Sequence, residues 1–283
     1  MNTHNHINRI INGLPASDGA GVKLTRIIGN HQLSELDPFL LLDHFGSDQA
    51  NDYIAGFPPH PHRGFETVTY MLQGKMRHQD SVGNDGVITD GGIQWMTAGR
   101  GIIHSEMPEQ TAGVLSGFQL WVNLPASEKM TAPKYQEKDA DEIPTEQRDG
   151  GVSLKVIAGQ TAQGTEGIID NPHTEPNYWD VKLPADTQLQ DRLNPSHTAF
   201  IYVYQGLIQL ADQQELNAGQ LGILSPGEEL LIQANQDSRF IVVSGRPLNE
   251  PIVRAGPFVM NTEAELQQAF VDYQNGTLTQ QEA

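Results

Sequence analysis

The chain contains no cysteine. That absence excludes disulfides, thiolate nucleophiles, iron–sulfur clusters and cysteine-ligated zinc. No apolar run approaches the ~18 residues that a membrane-spanning helix needs. The polar stretch from Met1 to Asn12 lacks the basic start and apolar centre of a signal peptide. A cytoplasmic protein with no membrane partner is therefore expected. Basic residues are scarce, with 17 Lys and Arg against 35 Asp and Glu and a net charge of −18. Such a polyanion repels phosphate backbones, so direct nucleic-acid binding is not expected. Any metal must be held by His, Asp or Glu, and ten His are available.

Glycine (28) and proline (17) are plentiful and punctuate short β-patterned runs. Candidate strands include Leu24–Ile28, Phe65–Leu72, Gly86–Thr89, Ile93–Met96, Gly117–Asn123, Ser153–Ala158, Ala199–Leu210 and Phe240–Ser244. Many short strands with glycine turns indicate a sandwich or barrel. Only the C-terminal end reads as helix. Thr262 followed by Glu265 has the form of a capping box, and Leu266, Phe270 and Tyr273 recur at helical spacing before Gly276. The stretch Ser127–Asp149 is charged and poor in apolar residues, and reads as a linker or exposed excursion. Across it runs a weak repeat. Glu66–Gly74 lies over Thr198–Gly206, and Gly91–Gly99 over Ala218–Gly227. Two tandem β domains are expected, over residues 1–140 and 141–283.

Two segments carry chemistry: Gly56-Phe57-Pro58-Pro59-His60-Pro61-His62-Arg63-Gly64-Phe65-Glu66 and Gly99-Arg100-Gly101-Ile102-Ile103-His104-Ser105-Glu106-Met107-Pro108. Each holds two potential ligands at i and i+2, which share one face of a strand. Adjacent strands would converge His60, His62, His104 and Glu106. Three imidazoles and a carboxylate suit iron, manganese, nickel, copper or zinc. In an octahedral site two positions would stay open for substrate and dioxygen. Glu66 shares the parity of His62 but lies roughly 13 Å along a straight strand. A bulge at Gly64 keeps it as an alternative ligand. His78 and Asp80 read as a solvated loop near the site mouth. His44 reads as either a neighbour of the site or a locally hydrogen-bonded residue. His4, His6, His31, His173 and His197 are expected to have no ligand role. Arg63 and Arg100 are candidates for salt bridges beside the site, and one of Trp95 and Met96 is expected in the core.

These segments resemble the two metal-binding motifs of the cupin superfamily. More narrowly, Pro59–Val68, Gln94–Pro108, Leu120–Leu124, Asp37–Asp43 and Gly256–Thr262 resemble the pirin family, so the likeness covers nearly the whole chain. The resemblance implies an all-β bicupin: two tandem small, jelly-roll-like β-barrels with a short C-terminal helix, the C-terminal segment returning to the first barrel. It implies one divalent metal, Fe2+ first and Mn, Ni, Cu or Zn as alternatives, on His60, His62, His104 and Glu106 of the first barrel only. The overlay puts Arg192 and Asn194 over His60 and His62, and Ile232 and Ala234 over His104 and Glu106, so a metal-free second barrel filled by apolar side chains is expected. The resemblance implies a quercetin 2,3-dioxygenase-like enzyme that opens a flavonol ring with O2 and releases carbon monoxide, with Glu106 as catalytic base. The alternative it implies is a regulatory, metal-containing protein that binds a protein partner. A monomer with a flavonol-like small-molecule substrate is expected.

Overall fold

The computed structural model describes residues 4–280. The chain divides into two units, one formed by Leu14–Ala140 with the segment from Leu248 onward, the other by Asp141–Pro247 with the residues up to Gly13. Each unit is a cupin barrel built from one seven-stranded and one four-stranded antiparallel sheet.

In the first unit the large sheet runs Lys134–Lys138, Ile93–Thr97, Phe65–Gln73, Leu115–Asn123, Phe39–Ser47, Val22–Ile28, Leu14–Asp18. The small sheet runs Phe57–His62, Ile102–Pro108, Met76–Asp80, Asp85–Ile88. In the second unit the large sheet runs Ile7–Asn12, Gln220–Leu224, Thr198–Gln205, Ser238–Gly245, Asn177–Leu183, Ser153–Ala158, Thr145–Gln147. Its small sheet runs Thr187–Arg192, Glu229–Ala234, Leu207–Leu210, Glu215–Asn217. The two orders correspond strand for strand. The overlaid segments Phe65–Gln73 and Thr198–Gln205 hold the same place, and each ends on a left-handed glycine, Gly74 (φ 97°) and Gly206 (φ 80°). Gly206 also splits what reads in sequence as one long strand, Ala199–Leu210.

The charged stretch after Ser127 is not a bare linker. Lys134–Lys138 is the outer strand of the first large sheet and Thr145–Gln147 the outer strand of the second. Both are edge strands; Lys134–Lys138, with three charged residues of five, has one side wet, whereas Glu146, the one charge in Thr145–Gln147, is buried. Ile7–Asn12 takes the matching edge of the second barrel, pairing with Gln220–Leu224, so the first residues of the chain do not group with the first barrel.

The second barrel is filled by one apolar cluster that includes Trp179, Leu189, Leu230, Ile232 and Phe240. Its two candidate-equivalent strands set Leu189 directly opposite Ile232. Arg192, which the overlay puts over His60, is exposed at its strand's end, and Asn194 lies beyond that strand. The strand pairing differs from the overlay here: the residue opposite Ile232 is Leu189, and Arg192 pairs with Glu229.

In the first unit, the C-terminal segment forms the ladder Val253–Ala255/Phe258–Met260 and the helix Glu263–Gln274. Thr262 caps that helix in a reciprocal box with Glu265. Its Leu266 and Ala269 bury against Phe258 and Met260. Arg63, 4% exposed, pins the helix by an ion pair to Asp272 (2.6 Å) and also donates to the Arg100 carbonyl. Buried Lys129 donates to the carbonyls of Gly64 (2.7 Å) and Val259 (3.0 Å). Gly64 sits at φ 88°, and a Cβ there would fall 1.9 Å from the Val259 oxygen, so only glycine lets the segment this close. Among the described residues no helix is long and apolar enough to cross a membrane.

Candidate metal centre

The strand Phe57–His62 carries three prolines, which lack the N–H a central strand must donate. It lies at the edge of the small sheet, where that loss is tolerated. Its inner neighbour, Ile102–Pro108, runs antiparallel and puts His104 directly opposite His60. The alternation of the strand brings His62 to the same face as His60. The three rings meet with centroids 4.5 Å (His60–His104), 4.7 Å (His60–His62) and 5.0 Å (His62–His104) apart. One nitrogen from each lies within 4.8 Å of the others, and among the described residues this is the one such group of three or more potential ligands.

Burial, then the neighbouring imidazoles, hold His62 and His104 well below the ordinary histidine range, so both are neutral and keep a lone pair. His62 Nδ1 and both nitrogens of His104 are buried without a hydrogen-bond partner. Buried polar atoms are nearly always partnered, and three converging imidazoles, two of them with orphaned nitrogens, fit a divalent first-row ion. His60 Nδ1 lies 2.9 Å from the Pro58 carbonyl. A carbonyl only accepts, so Nδ1 carries a hydrogen, and Nε2 is the nitrogen left to ligate an ion. His62 is wedged edge-on between Phe65 (5.1 Å) and Trp121 (5.4 Å), which fixes its ring plane.

Glu106 follows His104 on the same face, but a register shift between them puts it opposite Phe57. It is buried and lies outside the three-imidazole group. The Thr69 hydroxyl sits 2.7 Å from Glu106 Oε1 and 2.7 Å from Gln119 Oε1, and gives its single hydrogen to one of them. Glu66 is on the other sheet. Its carboxylate accepts from Trp95 Nε1 (3.0 Å) and Thr97 Oγ1 (2.7 Å), and the structure does not bring it to the histidines. Trp95 and Met96 are both buried, because the strand Ile93–Thr97 is covered on both faces.

His78 is not in a solvated loop. The chain reverses tightly at Gly74, and the strand Met76–Asp80 sets His78 opposite Glu106, 4% exposed, with Nε2 2.6 Å from Glu137 Oε2. His44 packs against Phe118 at 4.8 Å, away from the three histidines, and burial pulls its pKa down to about 4.

His60, His62 and Glu106 open onto a cavity of about 670 Å³ within the first unit. Its walls include Phe45, Phe57, Thr69, Gln119 and Trp121, and, from remote parts of the chain, Arg26, Asp43 and Arg254–Pro257. Arg26 binds Asp43 through two nitrogens (2.9 and 2.8 Å) and Asp18 through one (2.6 Å). Those bonds hold Arg26 above its ordinary range, while burial pushes Asp43 up to about 6 against the pull of the guanidinium. Sequence reasoning missed this wall. Asp43 and Trp121 lie inside recognisable motifs, yet nothing in their spacing assigns them to a cavity.

A family model described as Pirin matches residues 21–122, and one described as Pirin C-terminal cupin domain matches residues 178–279. A pirin-like protein of Caulobacter vibrioides is 52% identical over 268 residues, covering 95% of this chain and 97% of its own. A solved quercetin 2,3-dioxygenase from Acinetobacter baumannii has a TM-score of 0.89 at 36% identity and covers 97% of this chain and 98% of that one. The bacterial pirin YhhW of Escherichia coli, solved in complex with nickel(II), has a TM-score of 0.68 and covers 84% of this chain and 99% of its own, and at 20% identity the likeness is one of fold.

Proposed function

The chain belongs to the pirin family, and from that premise we propose that it is a metal-dependent dioxygenase that opens a flavonol-type ring with O2 and releases carbon monoxide. The observation that carries the reading is the group of three imidazoles, with orphaned nitrogens on His62 and His104, beside a cavity large enough for a flavonol. The similarity to a quercetin 2,3-dioxygenase over nearly the whole chain supports it.

His60, His62 and His104 would hold a divalent ion, Fe2+ in our reading, with Glu106 as the fourth ligand or as a carboxylate beside it. When bound, the ion supplies Lewis-acid stabilisation of the substrate's ionised hydroxyl and redox exchange with dioxygen. The protein does the rest. Glu106 takes the proton of the 3-hydroxyl, as a buried carboxylate on the same cavity wall as His60 and His62. Thr69, within hydrogen-bond reach, steadies Glu106 as its charge changes. Phe45, Phe57 and Trp121 give the aromatic rings of the substrate apolar walls and exclude water.

The test is metal analysis followed by incubation with quercetin in air. Metal-dependent loss of the flavonol with carbon monoxide release is expected. Glu106→Gln should keep the ion and lower kcat by about 10²–10⁴, the range of a lost general base. Full activity in that variant removes the base role. No turnover with any first-row metal removes the enzymatic reading and leaves the family's partner-binding role.

A further inference from the structure

Five charged residues line the cavity: Asp18, Arg26, Asp43, Glu106 and Arg254. Four have committed partners. Arg26 is paired with Asp43 and Asp18, and Glu106 faces Thr69. Arg254 differs. It sits on the strand Val253–Ala255, and the next three residues line the same cavity. Its Nη1 donates to the Leu40 carbonyl at 2.7 Å, which orients the guanidinium plane. A guanidinium offers five N–H donors in a fixed fork, and among the described residues no carboxylate pairs with this one. Glu35 attracts it only through space, and burial pulls it below its ordinary range. A half-buried cation with no anion beside it is unfavourable, and a two-pronged contact with a carboxylate would relieve that.

We propose that Arg254 binds a carboxylate carried by the substrate, so that among flavonol-type hydroxy-ketones the site favours those with an acidic group over neutral ones. The proposal rests on this cavity being the substrate site. One end of such a molecule presents its hydroxyl and ketone oxygens to the histidine end, and its carboxylate meets Arg254. A neutral flavonol leaves the guanidinium unpaired.

Two small probes separate the contributions. Comenic acid and kojic acid share a hydroxyl beside a ring ketone, and comenic acid has a carboxylate where kojic acid has a hydroxymethyl group. In calorimetry on the metal-loaded protein, comenic acid should bind at least about tenfold tighter, the effect of one charge-assisted contact. Arg254→Gln should erase that preference and leave kojic acid affinity within about twofold, while Arg254→Lys should keep part of it. Equal affinities in the wild type overturn the proposal, and need no folded variant. So does a preference that survives in Arg254→Gln. His104→Ala tests the underlying reading apart from this one. Undiminished binding of both probes there would remove the metal end of the site, whereas a preference still lost in Arg254→Gln would leave the carboxylate contact standing.

Discussion

The two barrels share a strand order and differ in what that order presents inward. In the first, the paired strands of the small sheet oppose His60 to His104. In the second, the strands in the same positions oppose Leu189 to Ile232, both fully buried within a continuous apolar cluster. The fold therefore does not require polar groups at these positions. Buried nitrogens without partners cost free energy that packed leucine and isoleucine do not. The first barrel bears that cost at His62 and His104, and the second carries the packing expected of a barrel with no such demand. This contrast separates residues kept for chemistry from residues kept for stability, and it can be tested from either side.

The largest expected effect is on metal content. His104→Ala removes a proposed ligand whose two nitrogens have no protein partner. Bound metal, measured by elemental analysis on the purified protein, should fall from about one ion per chain to near zero. Folding should be little affected, because the change also removes an unsatisfied buried group. Retention of stoichiometric metal in His104→Ala would mean that the imidazole group is not the binding site.

The reciprocal change is Ile232→Ala in the second barrel. Ile232 is fully buried opposite Leu189. Deleting its side chain should cost about 2–5 kcal/mol in urea unfolding, through lost transfer energy and the cavity left behind. Metal content should not change. If Ile232→Ala loses metal while staying folded, the two barrels do not divide labour as described.

How much of this contrast is legible in the sequence depends on distance along the chain. The candidate ligands lie in two short segments with i, i+2 spacing, and strand alternation alone predicts that His60 and His62 share a face. The second barrel's apolar filling is foreshadowed by Leu230-Leu231-Ile232. Edge strands are harder to read. Lys134–Lys138 is charged because one side is wet, and that composition mimics a linker. His78 looks loop-like because its inward role depends on pairing with a strand some thirty residues later. The cavity wall is least legible. Arg26, Asp43 and Arg254 meet through tertiary contacts that no local pattern encodes. Glu66 shows the converse error. Its parity is right for a ligand, but its strand belongs to the other sheet, and Trp95 and Thr97 already hold its carboxylate.

The smallest effect concerns the two strands next to each barrel's centre. Phe39–Ser47 in the first barrel contains His44, and its counterpart Asn177–Leu183 in the second contains no histidine. Burial lowers the His44 pKa from 6.5 to about 4. The folded state keeps it neutral where the unfolded chain takes up a proton. Its contribution is thus fully present above pH 6.5 and is lost as pH falls towards 4. The limiting slope is about 1.4 kcal/mol per pH unit. His44 retains some solvent contact, so a loss of about 1–2 kcal/mol between pH 7 and pH 5 is the realistic size. His44→Phe, which keeps the contact with Phe118, should lose that much less than wild type over the same interval. Both proteins are unfolded in urea with metal bound, so that the ligand histidines contribute alike. Equal acid sensitivity in the two would show that the first barrel's pH response arises from the metal centre and not from this buried ring.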